Sequence, residues 1–198
     1  MLIYGCQHTL GRGGPEAPHS LPSITPEELF EVGLLHARQG DLLRAEQYLN
    51  AARDQDFDEA KVAYWLVRVC VAAGRYQSAL DHALRYIRDN PADWRLRLVA
   101  ASIHEALGHL ERAQVELEHI VSAQPGSPLP HYKLGMLYLR NGARFHRATG
   151  QFEAYLALAP EGPHATEVET LLAYAREGVD EPSHAPPLSA VTEREGSP

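Results

Sequence analysis

The chain has little cysteine, no long apolar run and a deficit of positive charge. Its two cysteines, Cys6 and Cys70, are too few for a disulfide framework and lack the CxxC spacing of zinc or redox motifs. No apolar stretch approaches the roughly 20 residues that a membrane-spanning helix needs. The chain contains 18 Lys and Arg and 26 Asp and Glu, which gives a net charge of −8. This negative charge argues against non-specific binding to nucleic acid. The 198 residues, 44% of them hydrophobic, instead indicate a globular protein with a sizeable core.

The two ends of the chain are rich in Gly, Pro, Ser and His and show no helical or strand periodicity. We expect a flexible arm over residues 1–22 and a disordered tail over residues 178–198. Gly5 and Cys6 are similar to a bacterial lipoprotein cleavage site, but no basic segment and no apolar core of a signal peptide precede them. A cytoplasmic location is therefore predicted, and the cell envelope is the alternative if Cys6 carries a lipid.

Between these ends the sequence repeats every 34 residues, and this spacing is the strongest signal that it contains. Three columns of small or helix-ending residues share the period: Gly40, Gly74, Gly108 and Gly142; Ala45, Ala79, Ala113 and Ala148; Pro91, Pro125 and Pro160. With 15 glycines in 198 residues, the glycine column alone has a chance probability of about 4 in 10,000. The last step of the alanine and proline columns is one residue longer, which predicts an insertion in or just after the turn that follows Gly142.

Each column has a physical reason to recur. A glycine can end a first helix in the left-handed conformation that other residues avoid. An alanine lets two helices approach closely, and a proline ends the second helix because it lacks an amide donor. Apolar residues recur at helical spacing in segments such as 29–40 and 65–74. The sequence therefore predicts an all-α fold made of four helix-turn-helix units.

These features resemble the tetratricopeptide repeat over about 135 residues. The fourth unit carries Leu134, Gly135 and Tyr138 at the places of the family's Leu-Gly-x-x-Tyr pattern, whereas the first unit has Phe57 where the family has proline. The resemblance implies a helical solenoid. We place its domain at residues 23–177, with repeats at about 26–59, 60–93, 94–127 and 128–161 and a capping helix at about 163–177 that covers the open apolar end. The sequence Thr25-Pro26-Glu27-Glu28 predicts the start of the first helix.

The sequence contains no catalytic or phosphate-binding motif, and we predict a non-enzymatic protein without a cofactor. Its eleven histidines raise the alternative of a metal-binding protein. None has the i, i+4 helical spacing typical of zinc sites, and His36 and His104 fall where the family packs an aromatic ring, so no metal site is predicted.

The resemblance also implies a partner-binding groove, because the first helix of each repeat lines the concave wall in this family. The positions that face this groove combine aromatic and basic side chains: Phe30, Leu34, Arg38, Lys61, Tyr64, Trp65, Arg68, Arg95, Leu98, Ser102, Tyr132, Lys133, Met136 and Arg140. Such a surface suits a peptide or helix of another protein that carries apolar and acidic residues. The alternative is that Phe30 and Leu34 pack against the N-terminal arm and that the arginines are solvated. The Lys and Asn pattern with which some family members bind chaperone C-termini is absent from these positions.

We therefore interpret the chain as a protein–protein interaction module, acting as an adaptor, scaffold or co-chaperone. The abundance of Ala, Arg, Leu and Gly is typical of a GC-rich bacterial genome. A second hypothesis is an envelope-assembly lipoprotein, similar to the repeat-bearing pilotins of pilus systems, anchored through Cys6. Neither hypothesis predicts the identity of the partner or the oligomeric state.

Overall fold

A computed structural model describes residues 24–142 and 144–180. Within these residues the chain forms helices joined by short turns and no β-strand. Nine helices follow one another in chain order: α1 (Pro26–Arg38), α2 (Leu42–Asp54), α3 (Glu59–Ala72), α4 (Tyr76–Asp89), α5 (Trp94–Ala106), α6 (Leu110–Ala123), α7 (Pro128–Arg140), α8 (Phe145–Leu158) and α9 (Ala165–Asp180). The first eight form four hairpins, and α9 packs on α8. This arrangement confirms the predicted all-α solenoid of four helix-turn-helix repeats with a capping helix.

The turn inside each hairpin contains the repeated glycine in the left-handed conformation. The φ angles are 79° at Gly40, 70° at Gly74, 75° at Gly108 and 81° at Gly142. Three residues separate the paired helices in the first three hairpins, whereas four separate α7 from α8. The extra residue of the fourth repeat therefore lies in its turn, where it leaves the helical register of the flanking helices unchanged.

Side-chain caps fix where several of the helices begin. At α1, Thr25 accepts a hydrogen bond from the Glu28 amide at 3.2 Å, and the Glu28 carboxylate accepts one from the Thr25 amide at 2.8 Å. This reciprocal pair confirms the start predicted for α1. At α3, the Asp58 carboxylate accepts from the Lys61 amide at 3.0 Å. This hydrogen bond, favoured when the carboxyl is ionised, lowers the pKa of Asp58.

The repeated alanines lie where helices approach most closely, and all four are fully buried. Gly135 of α7 allows an even closer approach, because a Cβ atom there would lie 2.5 Å from Cε1 of Phe152 in α8. Gly33 plays the same part in the first hairpin, where a Cβ atom would lie 2.9 Å from Cγ of Leu49. Small residues at these contacts therefore set the spacing between the two helices of a hairpin.

Helix α9 closes the C-terminal end of the apolar core. Its residues Val168, Leu171 and Ala175 are buried in one cluster with Phe152 and Tyr155 of α8. The helix spans residues 165–180, so it begins two residues after the predicted start and continues three residues beyond the predicted end. Residues 178–180, which we assigned to the disordered tail, therefore belong to this helix. The rest of that tail, the arm over residues 1–22 and Cys6 lie outside the described residues.

Packing along the solenoid is local, since each helix contacts mainly the helices next to it in the chain. Buried residues form three clusters that follow one another along the sequence. Among the described residues, no helix combines the length and the apolar character that crossing a membrane requires.

Candidate functional site

The residues predicted to line a groove come from α1, α3, α5 and α7, the first helices of the four hairpins. Six of them are exposed: Arg38, Lys61, Tyr64, Arg68, Arg95 and Arg140. Six others are partly buried: Trp65, Leu98, Ser102, Tyr132, Lys133 and Met136. These twelve side chains offer accessible surface on the four helices, and they remain a predicted site.

Phe30 and Leu34 do not belong to such a surface, which corrects their assignment to the groove. Each is only 6% exposed, and both are members of the core cluster of the first hairpin. For Phe30, a covering contact comes from the end of the first repeat, where Phe57 replaces the proline of the other repeats. The Phe57 ring packs against Phe30 with 4.8 Å between ring centroids. The preceding Asp56 has a positive φ of 58°, and the chain changes direction there without a proline.

The clearest cluster among the accessible residues lies on α3 and consists of Tyr64, Trp65 and Arg68, which we call the α3 patch. The Arg68 guanidinium carbon lies 4.5 Å from the Trp65 ring centroid and 5.5 Å from that of Tyr64. The two aromatic rings meet edge to face at 6.2 Å. Tyr64 is 47% exposed although it is aromatic. The patch therefore offers apolar ring surface and a positive charge side by side.

A similar pair lies at the start of α5, where the Arg95 guanidinium is 5.1 Å from the Trp94 ring centroid. Among the described residues, neither Arg68 nor Arg95 forms an ion pair. Both cations therefore lie against aromatic rings. Arg68 donates one hydrogen bond, at 3.5 Å, to the Tyr64 hydroxyl, and its other donors can bind a partner. A partner carboxylate is the group that such a guanidinium binds most strongly.

Other predicted groove residues are already engaged within the chain. Arg140 of α7 forms an ion pair with Glu105 of α5, and Lys61 pairs with Asp58 at 3.2 Å. Tyr132 of α7 stacks on His164 with 4.1 Å between ring centroids. Its hydroxyl donates to the Glu167 carboxylate of α9 at 2.9 Å. Burial and this carboxylate raise the pKa of Tyr132 well above its usual value, and the phenol stays protonated as a donor.

Sequence reasoning missed a cluster of potential metal ligands formed by Glu46 of α2, Cys70 of α3 and His82 of α4. One ligand atom of each residue lies within 4.8 Å of the other two. The three residues are separated by 24 and 12 positions, so no motif spacing connects them. The available signal is their position in the repeat, because the second helix of one hairpin packs on the first helix of the next hairpin.

The structure also shows an open cavity of about 400 Å³ between the second and third hairpins. It is lined by side chains of α4, α5 and α6, among them Leu84, His104 and Val115. The Val115 side chain, on the second helix of the third hairpin, is 62% exposed, whereas His104 is only 3% exposed. Burial lowers the pKa of His104, which favours its neutral form. This apolar recess provides a useful comparison for binding experiments, because it lies outside the predicted groove.

The repeated hairpins, the left-handed glycines and the closing helix define a helical-repeat protein, and comparisons with known proteins agree. Residues 72–137 match the sequence profile described as Tetratricopeptide repeat. The profile, the 34-residue spacing and the fold agree, and the chain resembles tetratricopeptide-repeat proteins. A search of curated protein sequences finds no match.

Several solved structures share this fold at low sequence identity. A tetratricopeptide repeat protein from Parabacteroides merdae is 22% identical with a TM-score of 0.70, over 86% of this chain and 66% of that one. The chain thus spans just under two thirds of that protein. MamA from Desulfovibrio magneticus is 18% identical with a TM-score of 0.66, over 87% and 97% of the two chains. YrrB, described as having an unusual peptide-binding site, is 18% identical with a TM-score of 0.62, over 75% and 76%. At these identities the likeness concerns the fold.

Proposed function

We propose that the chain is a non-enzymatic adaptor or scaffold that binds an extended or helical segment of another protein along its first helices. The observation that carries this proposal is the α3 patch, in which the exposed Tyr64 ring, the partly buried Trp65 ring and the Arg68 cation lie together. Tryptophan, tyrosine and arginine are the residue types that contribute most to binding energy at protein interfaces. The peptide-binding site described for YrrB, a protein of the same fold, supports this proposal.

The centre of the proposed site lies on α3 and α5. Arg68 and Arg95 have no acidic partner among the described residues, whereas Arg140 and Tyr132 are bound to Glu105 and Glu167. The residues of the proposed groove are Arg38, Lys61, Tyr64, Trp65, Arg68, Arg95, Leu98, Tyr132, Lys133, Met136 and Arg140. A partner segment would insert an apolar side chain against the rings and place Asp or Glu beside the guanidinium groups. The whole chain has a net charge of −8, so this local excess of cations favours a partner segment that carries acidic residues.

A displayed peptide library tests this proposal. We expect the purified protein to enrich peptides that combine an aromatic or aliphatic anchor with acidic residues, with binding that weakens as salt increases. Trp65→Ala and Arg68→Glu should each weaken binding of an enriched peptide by about 30-fold, which corresponds to the roughly 2 kcal/mol of a hot-spot residue.

Val115→Glu is the matched control, because it adds a charge at an exposed position of α6 beside the open cavity. It should leave peptide affinity unchanged, and circular dichroism should show equal helicity for all variants. Equal affinity of the wild-type and both α3 variants would place the binding site elsewhere. A loss of binding in Val115→Glu alone would move it to the cavity between the second and third hairpins.

We further propose a cytoplasmic adaptor of bacterial origin, with the pilotin-like envelope lipoprotein as the second hypothesis. The two differ in the state of Cys6. Mass spectrometry of the N-terminus of the protein from its own cells distinguishes a free thiol from a cysteine that carries lipid.

A further inference from the structure

Three different ligand types meet at the interface between the first and second hairpins. Glu46 comes from α2, Cys70 from α3 and His82 from α4, so the cluster connects helices of both repeats. Cys70 is fully buried, while the side chains of Glu46 and His82 are 16% and 14% exposed. A thiol, an imidazole and a carboxylate are the three side-chain groups that bind zinc in proteins.

The distances within the cluster are close to those of a metal coordination sphere. Oε1 of Glu46 lies 3.6 Å from Sγ of Cys70 and 3.7 Å from Nε2 of His82. With Zn–S of about 2.3 Å and Zn–N or Zn–O of about 2.0 Å, tetrahedral geometry separates the ligand atoms by about 3.3–3.5 Å. The two measured separations need to shorten by only a few tenths of an ångström. The separation of thiol and imidazole is at most 4.8 Å and closes with a small movement of His82.

We propose that Glu46, Cys70 and His82 form a site for one Zn²⁺ ion that joins the first and second repeats. The three side chains supply one ligand each, and water completes the tetrahedron, as in zinc sites with an open position. The site lies on different helices from the centre of the proposed groove and does not depend on the function proposed for it.

Arg75 orients the carboxylate for this role. Its Nη2 lies 2.5 Å from Oε2 of Glu46, which leaves Oε1 directed at the thiol and the imidazole. Groups that hydrogen-bond to metal ligands in this way fix their geometry and often decide affinity. Zn²⁺ together with one thiolate and one carboxylate is neutral, which limits repulsion by Arg75 and by the nearby Arg53 and Arg85. The positive charge of Arg75 remains directed at the outer carboxylate oxygen.

Cys70 would bind the ion as a thiolate. Metal binding therefore releases the thiol proton to solvent, and the Zn–S bond replaces the S–H bond. Without metal, the same thiol donates to Glu46, so the site is a complete polar network in either state.

Cobalt(II) titration of the metal-free protein tests the proposal. Cys6→Ser provides the starting protein, because it leaves Cys70 as the only thiol in the chain. We expect thiolate-to-cobalt charge transfer and tetrahedral ligand-field bands that saturate at one equivalent and disappear when Zn²⁺ displaces the cobalt. Zinc should also raise the midpoint of thermal unfolding in proportion to the logarithm of its concentration.

Variants of each ligand and a matched control decide the assignment. Cys70→Ser should abolish the charge-transfer band, and His82→Gln should weaken cobalt affinity at least tenfold. His119→Gln, which alters an exposed histidine of α6, should behave like the starting protein. Helicity is measured for every variant. If Cys70→Ser does not fold, His82→Gln decides, since its side chain is partly exposed. Two results would overturn the proposal: binding of cobalt to saturation without a charge-transfer band, or a cobalt affinity of His82→Gln equal to that of the starting protein.

Discussion

Gly135 and Gly150 are both interior glycines of helices in the fourth hairpin, yet replacing each by alanine should have opposite effects. Alanine is favoured over glycine inside a helix by about 1 kcal/mol, and this gain applies at both positions. Gly150 has open space around the position of a Cβ atom, so Gly150→Ala should stabilise the protein by about 1 kcal/mol. It serves as the matched control.

At Gly135 the added methyl group meets a ring that cannot move away. The Cβ atom would lie 2.5 Å from Cε1, 2.7 Å from Cδ1 and 2.9 Å from Cζ of Phe152. Ordinary carbon–carbon contacts are about 3.5–4.0 Å. Phe152 is fully buried and packs in one cluster with residues of α9, so relief requires α7 and α8 to separate. Overpacking of this kind costs about 1–3 kcal/mol. Gly135→Ala should therefore change stability by about 0 to −2 kcal/mol relative to wild type.

Urea unfolding followed by circular dichroism measures the free energy of unfolding of both variants. The helical gain is the same in both, so the difference between their free energies equals the packing cost of about 1–3 kcal/mol. A second test uses Phe152→Leu, which removes the ring. In that background Gly135→Ala should cost less than it does in the wild-type background. Equal stabilisation by Gly135→Ala and Gly150→Ala would refute the close approach of α7 and α8 and the reasoning built on it.

Two further predictions concern the third hairpin. Ala113→Leu should destabilise the protein by about 1–3 kcal/mol in urea unfolding, because Ala113 is fully buried, whereas Ala123→Leu at an exposed position of the same helix should change little. His104→Phe should reduce the loss of stability at acidic pH. Burial lowers the pKa of His104 in the folded state, so the unfolded chain binds the proton more readily, and stability falls as pH drops below about 6.5. Removing this group should flatten the pH dependence between pH 7 and 5 by at most about 1.4 kcal/mol per pH unit, and an unchanged slope would contradict this assignment.

The features that the sequence predicts well are those that recur in every repeat. The left-handed conformation at Gly74 and the burial of Ala79 follow from a spacing that needs no knowledge of neighbouring units. The helix ends follow from the same columns, since each repeated proline lies two residues beyond the end of a second helix. These features are local, and one sequence is sufficient to find them.

The features that the sequence did not predict depend on contacts between particular side chains of different helices. Phe30 is buried because Phe57 occupies the place of a proline, a difference that occurs only in the first repeat. Tyr132 is bound because Glu167 comes from α9, which has no counterpart in the other repeats. Cys70 meets Glu46 through the stacking of two hairpins. A repeat pattern describes what the units share, and these contacts arise where the units differ.

The local packing of the helices also determines how the protein responds to damage. Because each helix contacts mainly its neighbours in the chain, a lesion in α8 leaves the contacts of α1 with α2 untouched. Fraying should start at the two ends and advance one hairpin at a time, with the middle repeats the last to exchange their amide hydrogens. A chain built in this way can gain or lose a terminal unit over evolutionary time while the remaining units keep their shape.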